Sequence, residues 1–526
     1  MMNRMMIPLS RRFLRHCAVL MVGATMVGVP HLAAQANSSR YTSGTAQARW
    51  WNVGQGGRLP ASVDLDDPSG TIGILNASGP IDTAGHPFFE ALGTNGRACV
   101  TCHQPGGAMS VSAAMIRERW RATSGKDPIF AAIDGSNCPN LPQDKEASHS
   151  LLLDRGLFRI SLPWPPRNVD GTPKQTEFTI EVVRDPTGCN TDPTYGLKSA
   201  NPSVSVFRRP RVAANLKYVT NGSAPFNIKT GDLTDIDPDT GRHVSMNLMA
   251  DARAATLKLQ AVDAALSHLQ AKAAPTAAQL QRIVEFESQL YIAQSSDSRG
   301  GSLVEQNSPD GLGPQAMLRG RPGLGDNIYT PVFGLFDVWK DLSNSTGLSP
   351  TQREFRESVS RGSDIFMSRQ FWIRDTANLT TFGLGNPIKR SCATCHNARL
   401  TGMDLAPGFV DLGTNNYPTW SEPAVYSQSA ELPVFKITCA PSAPPHPFLG
   451  RVIYTTDPGR ALISGKCIDV GSIVMQQFRG LAARAPYFAN GSAKTLRELV
   501  DYYDRRFDMK LTEQEKRDLI NFLSVL

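Results

Sequence analysis

Cys99-Val100-Thr101-Cys102-His103 recurs, with one residue changed, as Cys392-Ala393-Thr394-Cys395-His396. C-x-x-C-H is the attachment signature of haem c. Two thiols form thioethers to the porphyrin, and the adjacent imidazole supplies the proximal iron ligand. Two intervening residues bring both sulfurs to one edge of the ring, and the next residue swings under the iron. A zinc site would need a second ligand pair at short spacing, and none follows either motif. Cys99, Cys102, Cys392 and Cys395 are therefore read as attachment residues, and His103 and His396 as proximal ligands, for two covalently bound haem c groups.

The compartment agrees with this chemistry. Residues 1–36 read as a cleavable secretory signal: a basic start with Arg4, Arg11, Arg12 and Arg15, an apolar run from Cys17 to about Val29, and Ala34-Gln35-Ala36 as the cleavage pattern. The apolar run is short and broken by Gly and Pro, which argues against a retained anchor, so no membrane span is expected after cleavage. A periplasmic location follows. The formal charge is +7. Without the basic leader it falls to about +3, which is no footprint for nucleic acid.

Of nine cysteines, Cys17 lies in the leader and four hold haem. The remaining Cys138, Cys189, Cys439 and Cys467 suggest two disulfides in an oxidising compartment. Pairing 138 with 189 and 439 with 467 keeps each bridge within one half, although spacing alone allows three pairings.

Along the chain, residues 37–80 are polar and read as a loose arm with an exposed Trp50-Trp51. Met115 to Trp120 reads as a short helix. Phe158-Arg-Ile-Ser-Leu162 and Phe178-Thr-Ile-Glu-Val-Val183 alternate like strands, so about 104–205 reads as an insertion with its own small sheet. An internal echo follows. Tyr218-Val-Thr-Asn-Gly-Ser223 matches Tyr487-Phe-Ala-Asn-Gly-Ser492, and Ala255-Thr256-Leu257 matches Lys494-Thr495-Leu496. Each half closes with an amphipathic helix: Leu280, Ile283, Val284, Leu290 and Tyr291 in the first, and Leu519, Ile520, Leu523 and Leu526 in the second, after a Thr512-x-x-Glu515 capping box. The expected fold is mainly α: two cytochrome c-like haem domains in tandem, at 37–293 and 351–526, joined by a connection at 294–350, with a small β insertion.

Two haem motifs in tandem, with Arg484-Ala-Pro-Tyr-Phe-Ala-Asn-Gly-Ser492 before Thr495-Leu-Arg-Glu-Leu-Val-Asp-Tyr-Tyr503, resemble the bacterial di-haem cytochrome c peroxidase and MauG superfamily, with rubber oxygenases as relatives. The resemblance covers the haem motifs, roughly 205–293, and 355–526. It implies helical haem domains facing a shared interface, one haem reacting with peroxide or oxygen and the other relaying electrons, and in many members a calcium ion between domains. The departures are specific. Ala489 stands where the family has His. Ala250-Asp251-Ala252-Arg253 stands where peroxidases have Trp-Asp-Gly-Arg. The family's Gln falls on Gln260, but its distal acid falls on Gln270, which cannot donate the proton that helps cleave an O–O bond.

The sixth ligand of each iron decides function, because an open iron can bind an oxidant and a capped one mainly transfers electrons. For haem 2 the family's ligand position falls on Tyr503, with Met509 as the other candidate. Leu496, Leu499, Val500 and Tyr503 share one helical face, which turns Tyr503 inward and Tyr502 outward. For haem 1 no His lies close after the motif. Met109, Met115, His149, His243 and His268 are the candidates, and the default is an open, reactive haem 1. Gln260 is the expected catalytic side chain there, and Arg253 a propionate ligand. The reading is a periplasmic oxidoreductase that takes a small-molecule oxidant and exchanges electrons with a small redox protein or periplasmic dehydrogenase. The alternative is a non-catalytic di-haem electron carrier.

Overall fold

The computed structural model describes residues 50–168, 170–220, 235–237, 242–320, 334–379, 385–396, 408–417 and 430–526. The proposed signal segment and the residues Asn221 to Ser223 lie outside them. Along the chain come β1 (Ser62–Asp67), β2 (Gly70–Asn76), α1 (Cys99–Cys102), α2 (Ala113–Thr123), β3 (Phe158–Pro163), β4 (Phe178–Arg184) and β5 (Ser203–Arg208). Then follow α3 (Leu257–Ser267), α4 (Ala277–Gln289), β6 (Leu290–Asp297), β7 (Gly301–Ser302), α5 (Pro350–Ser368), β8 (Asn416–Tyr417), β9 (Val434–Cys439), β10 (Val452–Thr455), α6 (Leu496–Phe507) and α7 (Glu513–Ser524).

A mainly α fold is not what forms. Helix makes up 30% and strand 20%, and two four-stranded sheets organise the packing, in the orders β7-β6-β2-β1 and β8-β10-β9-β4. The expected loose arm is half of the first sheet. Its alternation Ser-Val-Asp-Leu-Asp-Asp, the turn closed by Asp67 Oδ1 accepting from Ser69 and Gly70 backbone N–H, and the apolar Ile72 and Ile74 make a hairpin. Its β2 strand pairs with β6, Ile74 opposite Ile292, and both are fully buried. Trp50 is also buried, in the core around α2.

The helix at the end of the first half stops at Gln289. Leu290 and Tyr291, which fit its apolar spacing, begin β6 instead, because pairing with Asn76 and Leu75 buries them better than another helical turn. The stretch 104–205 does not keep a sheet to itself. β3 pairs with β5, but β4 pairs with β9 from the second half, Ile180 opposite Ile437. Both disulfides are present as paired above, Cys138–Cys189 and Cys439–Cys467. The described residues pack as one compact unit.

Four of the site's helices have side-chain N-caps, which satisfy backbone donors left open at a helix start. Thr256 caps α3, Thr276 and Gln279 form a box on α4, Thr495 caps α6, and Thr512 and Glu515 form the expected box on α7. Helix α5 crosses α7 at Gly362, where a Cβ would collide with the Asp518 carbonyl. The expected echo Tyr218–Ser223 runs into residues outside the described ones. Among the described residues, the turn Leu248–Arg253 has the same form as Tyr487–Ser492. Met249 and Phe488 both take left-handed φ of 64°, and bridges Leu248–Ala254 and Tyr487–Ala493 close both turns.

Candidate haem sites

Arg97 fixes the first motif. Its guanidinium is buried and donates to the carbonyls of Pro128 (2.7 Å), Ile129 (2.8 Å) and Ala131 (3.1 Å), and to Asp134 Oδ2 (3.3 Å). The backbone N–H of Ala98 donates to Thr101 Oγ1 at 3.0 Å, which tightens the α1 turn. Burial pushes the Cys102 thiol up to about 12 and raises Cys99 as well. His103 Nδ1 lies 3.1 Å from the Met109 carbonyl. A carbonyl partner requires the proton on Nδ1, so Nε2 is left with the lone pair a metal takes. Burial also lowers the His103 pKa, favouring the neutral, ligating form.

Cys99, Cys102 and His103 open on a cavity of about 1290 Å³ of empty space, mouth included. The second motif opens on another, of about 1590 Å³, lined by Cys392, Cys395, His396, Tyr503 and Met509. The His396 ring stacks near Phe478, centroids 4.5 Å apart. Arg209, Pro210 and Gln477 line both cavities and form a shared wall.

That wall is cationic. Arg209 donates to the backbone carbonyls of Val111 (2.5 Å), Arg484 (2.8 Å) and Arg155 (3.1 Å). Arg484 donates to the Gln477 carbonyl, and its Nε has no partner among the described residues. Neither guanidinium meets a carboxylate among the described residues. Burial, and for Arg209 the charge of Arg484, lowers Arg209 to about 9; burial lowers Arg484 to about 10. Buried cations without anions are costly. The residues present therefore fit a group that brings carboxylates into both cavities, as two porphyrins with propionates would. Arg253 is already committed to Asp251 (3.0 Å) and Asp263 (3.0 Å), which weakens its expected role as a propionate ligand.

The repeat allows the two cavities to be compared residue by residue. Leu257, Gln260, Ala261, Ala264 and His268 follow one face of α3 and its C-cap, and all line cavity 1. Aligning α3 and α6 on their N-caps Thr256 and Thr495 sets Gln260 against Leu499, Ala264 against Tyr503 and His268 against Phe507. Aligning α4 and α7 on Thr276 and Thr512 sets Ile283 against Leu519 and Glu287 against Leu523. Each of these counterparts lines cavity 2. Cavity 1 is thus polar where cavity 2 is apolar, and it carries a methyl group where cavity 2 carries a phenol.

Of the expected site residues, Gln260 reaches cavity 1, and Tyr503 and Met509 reach cavity 2. Tyr502 is not turned outward. It is buried, and its hydroxyl donates to the Leu412 carbonyl at 2.8 Å. Gln270 lies outside the lining, in a left-handed, exposed turn. Met109 serves through its carbonyl, and Met115 packs in the core around α2. Both ring nitrogens of His149 bond backbone carbonyls, of Gly135 and Gln143, which makes it structural. The His243 side chain lies outside the described residues. His268 does line cavity 1, its Nδ1 2.7 Å from Asp134 Oδ2. Glu287 was not anticipated; the N-cap alignment of the closing helices would have found it. Among the described residues no group of three or more His, Cys, Asp or Glu could hold a metal ion, so the calcium expected from the resemblance has no side-chain cage there. Among them also, no helix is long and apolar enough to cross a membrane.

No protein-family model matches the chain, and no curated protein matches it.

Proposed function

We propose that this chain is an exported, periplasmic di-haem c oxidoreductase of the di-haem peroxidase and MauG kind, reactive at cavity 1 and relaying electrons through cavity 2. The observation that carries the reading is the exchange of Tyr503 for Ala264 at equivalent positions of the two cavities. Bound haem would supply electron storage in both cavities and an oxidant-binding iron in cavity 1. The chain supplies the rest. Cys99, Cys102 and His103 would hold one group, and Cys392, Cys395 and His396 the other. Tyr503 would close the second cavity to a further ligand, whereas Ala264 in the first leaves room for a small molecule. Gln260 offers its amide to that molecule. Arg209, at the common wall, and Arg484, in the second cavity, would offset propionate charge, and Arg209, Pro210 and Gln477 line both sites. The polar lining of cavity 1 is what the alternative, a pure electron carrier, would not need. An external redox protein or dehydrogenase of the periplasm is the electron partner.

The test is a stopped-flow experiment on the fully reduced holoprotein. Mixing with hydrogen peroxide or dioxygen should oxidise both haem spectra, two electrons per peroxide. Reduced spectra unchanged by either oxidant would leave the electron-carrier reading in its place.

A further inference from the structure

Glu287 is the one acid on the α4 face that lines cavity 1, a turn beyond Ile283. It is 5% exposed, and its Oε2 is sealed from solvent with no hydrogen-bond partner among the described residues. Burial alone raises its pKa to about 8, with no cation offsetting it. A carboxyl in that setting is neutral at pH 7 and can donate a proton. In the second half the equivalent residue is Leu523, so the packing of this helix pair does not itself call for an acid.

His268 lines the same cavity and keeps a quarter of its side chain exposed. Asp134 binds its Nδ1, and Arg97 in turn binds Asp134 and the His268 carbonyl (3.4 Å). That fixes the ring with Nε2 free of protein partners among the described residues. One ring therefore touches both solvent and cavity. Its counterpart in the second half is Phe507, which can carry no proton.

We propose that Glu287 is the proton donor of cavity 1, taking the role that Gln270 cannot, and that His268, held by Asp134 and Arg97, resupplies it from solvent. The inference rests on the reading of cavity 1 as the reactive site. In peroxide reduction the O–O bond breaks, two electrons arrive by way of cavity 2 from the external redox protein, and two protons are taken up to give two waters. Glu287 gives the first proton to the departing oxygen. His268 then passes protons inward from bulk water, which restores Glu287 and completes the second water.

The test uses the reduced holoprotein with carbon monoxide as probe, then with hydrogen peroxide. Glu287→Leu installs the residue found in the other cavity, and Glu287→Gln keeps the shape. Both should retain two haems. In Glu287→Leu the C–O stretch should move to higher wavenumber, because a hydrogen-bond donor to the probe is gone. Peroxide-driven oxidation should slow about 100-fold in both variants, the usual scale for losing a general acid. His268→Phe should leave the C–O stretch in place, slow oxidation less than the Glu287 variants do, and recover with added imidazole. If carbon monoxide binds and the stretch and rate match wild type in Glu287→Leu, the proton-donor assignment is wrong while the open-site reading survives. If His268→Phe oxidises at the wild-type rate, His268 is not the resupply route. If carbon monoxide binds neither haem, the open-site reading falls and this inference with it.

Discussion

Replacing Arg208 with Met should destabilise the whole unit while leaving the haem motifs intact. Arg208 ends β5, is buried, and donates to Asp457 at 2.6 and 2.9 Å and to Asp251 at 2.5 Å. It ties the 104–205 stretch to both halves at once. In Arg208→Met, Asp251 keeps Arg253 at 3.0 Å. Asp457, 3% exposed, keeps only the Gly459 N–H (2.7 Å) and a main-chain turn. Removing one partner of a buried pair leaves an uncompensated charge, at a cost of about 3–5 kcal/mol. Met fills much of the arginine stem, so little of that cost is cavity. A chain this large shifts its melting temperature by roughly 1 °C per kcal/mol, so calorimetry should show a fall of roughly 3–5 °C. The double variant Arg208→Met, Asp457→Asn removes the stranded charge and should recover part of the loss. A single variant as stable as wild type, or a double variant less stable than the single, would refute the reasoning.

Three further outcomes are expected. Tyr503→Ala should give haem 2 the methyl group that cavity 1 already has, so that cyanide binds to two haems rather than one; binding still limited to one haem would show that Tyr503 is not the cap. Stability should fall on acidification between pH 6.5 and about 4. His86 Nδ1 accepts from Phe88 N–H and His446 Nδ1 from Leu449 N–H, and burial lowers both to about 4. The unfolded chain therefore binds protons first, at a cost of about 3 kcal/mol for each histidine once the pH reaches 4; a urea midpoint that stays flat across that window would contradict it. Replacing Cys138 and Cys189 by Ser opens a loop with a sequence separation of 51 and should cost about 2–5 kcal/mol, read as a loss of urea resistance that reductant does not deepen at that site.

The disulfides were legible because the four cysteines outside the two C-x-x-C-H motifs fell into one pair in each half. The cap of the last helix was legible because Thr512 three residues before Glu515 is a local signal: each side chain accepts from the other's backbone N–H. What failed was non-local. Ser62 to Asn76 reads as a polar arm until β6 lies beside it, and Leu290 and Tyr291 fit a helix until that same strand claims them. Phe178 to Val183 was rightly a strand, but its partner lies more than two hundred residues away, which no period can show. The likeness of Leu248–Arg253 to Tyr487–Ser492 rests on few shared side chains and is visible mainly in their left-handed turns. Glu287 is an ordinary residue in sequence and gains meaning only against Leu523; His268 stood among the candidate ligands, and its contrast with Phe507 shows only in the aligned helices.

Low-temperature EPR of the ferric holoprotein, with and without cyanide and again after one-electron reduction, tests the central claim that the two cavities differ in kind. One high-spin signal that cyanide converts, beside one low-spin signal that it does not, is the predicted result. Two low-spin signals, both indifferent to cyanide even after partial reduction, would mean that both irons are capped, and the reactive site in cavity 1 would have to be given up.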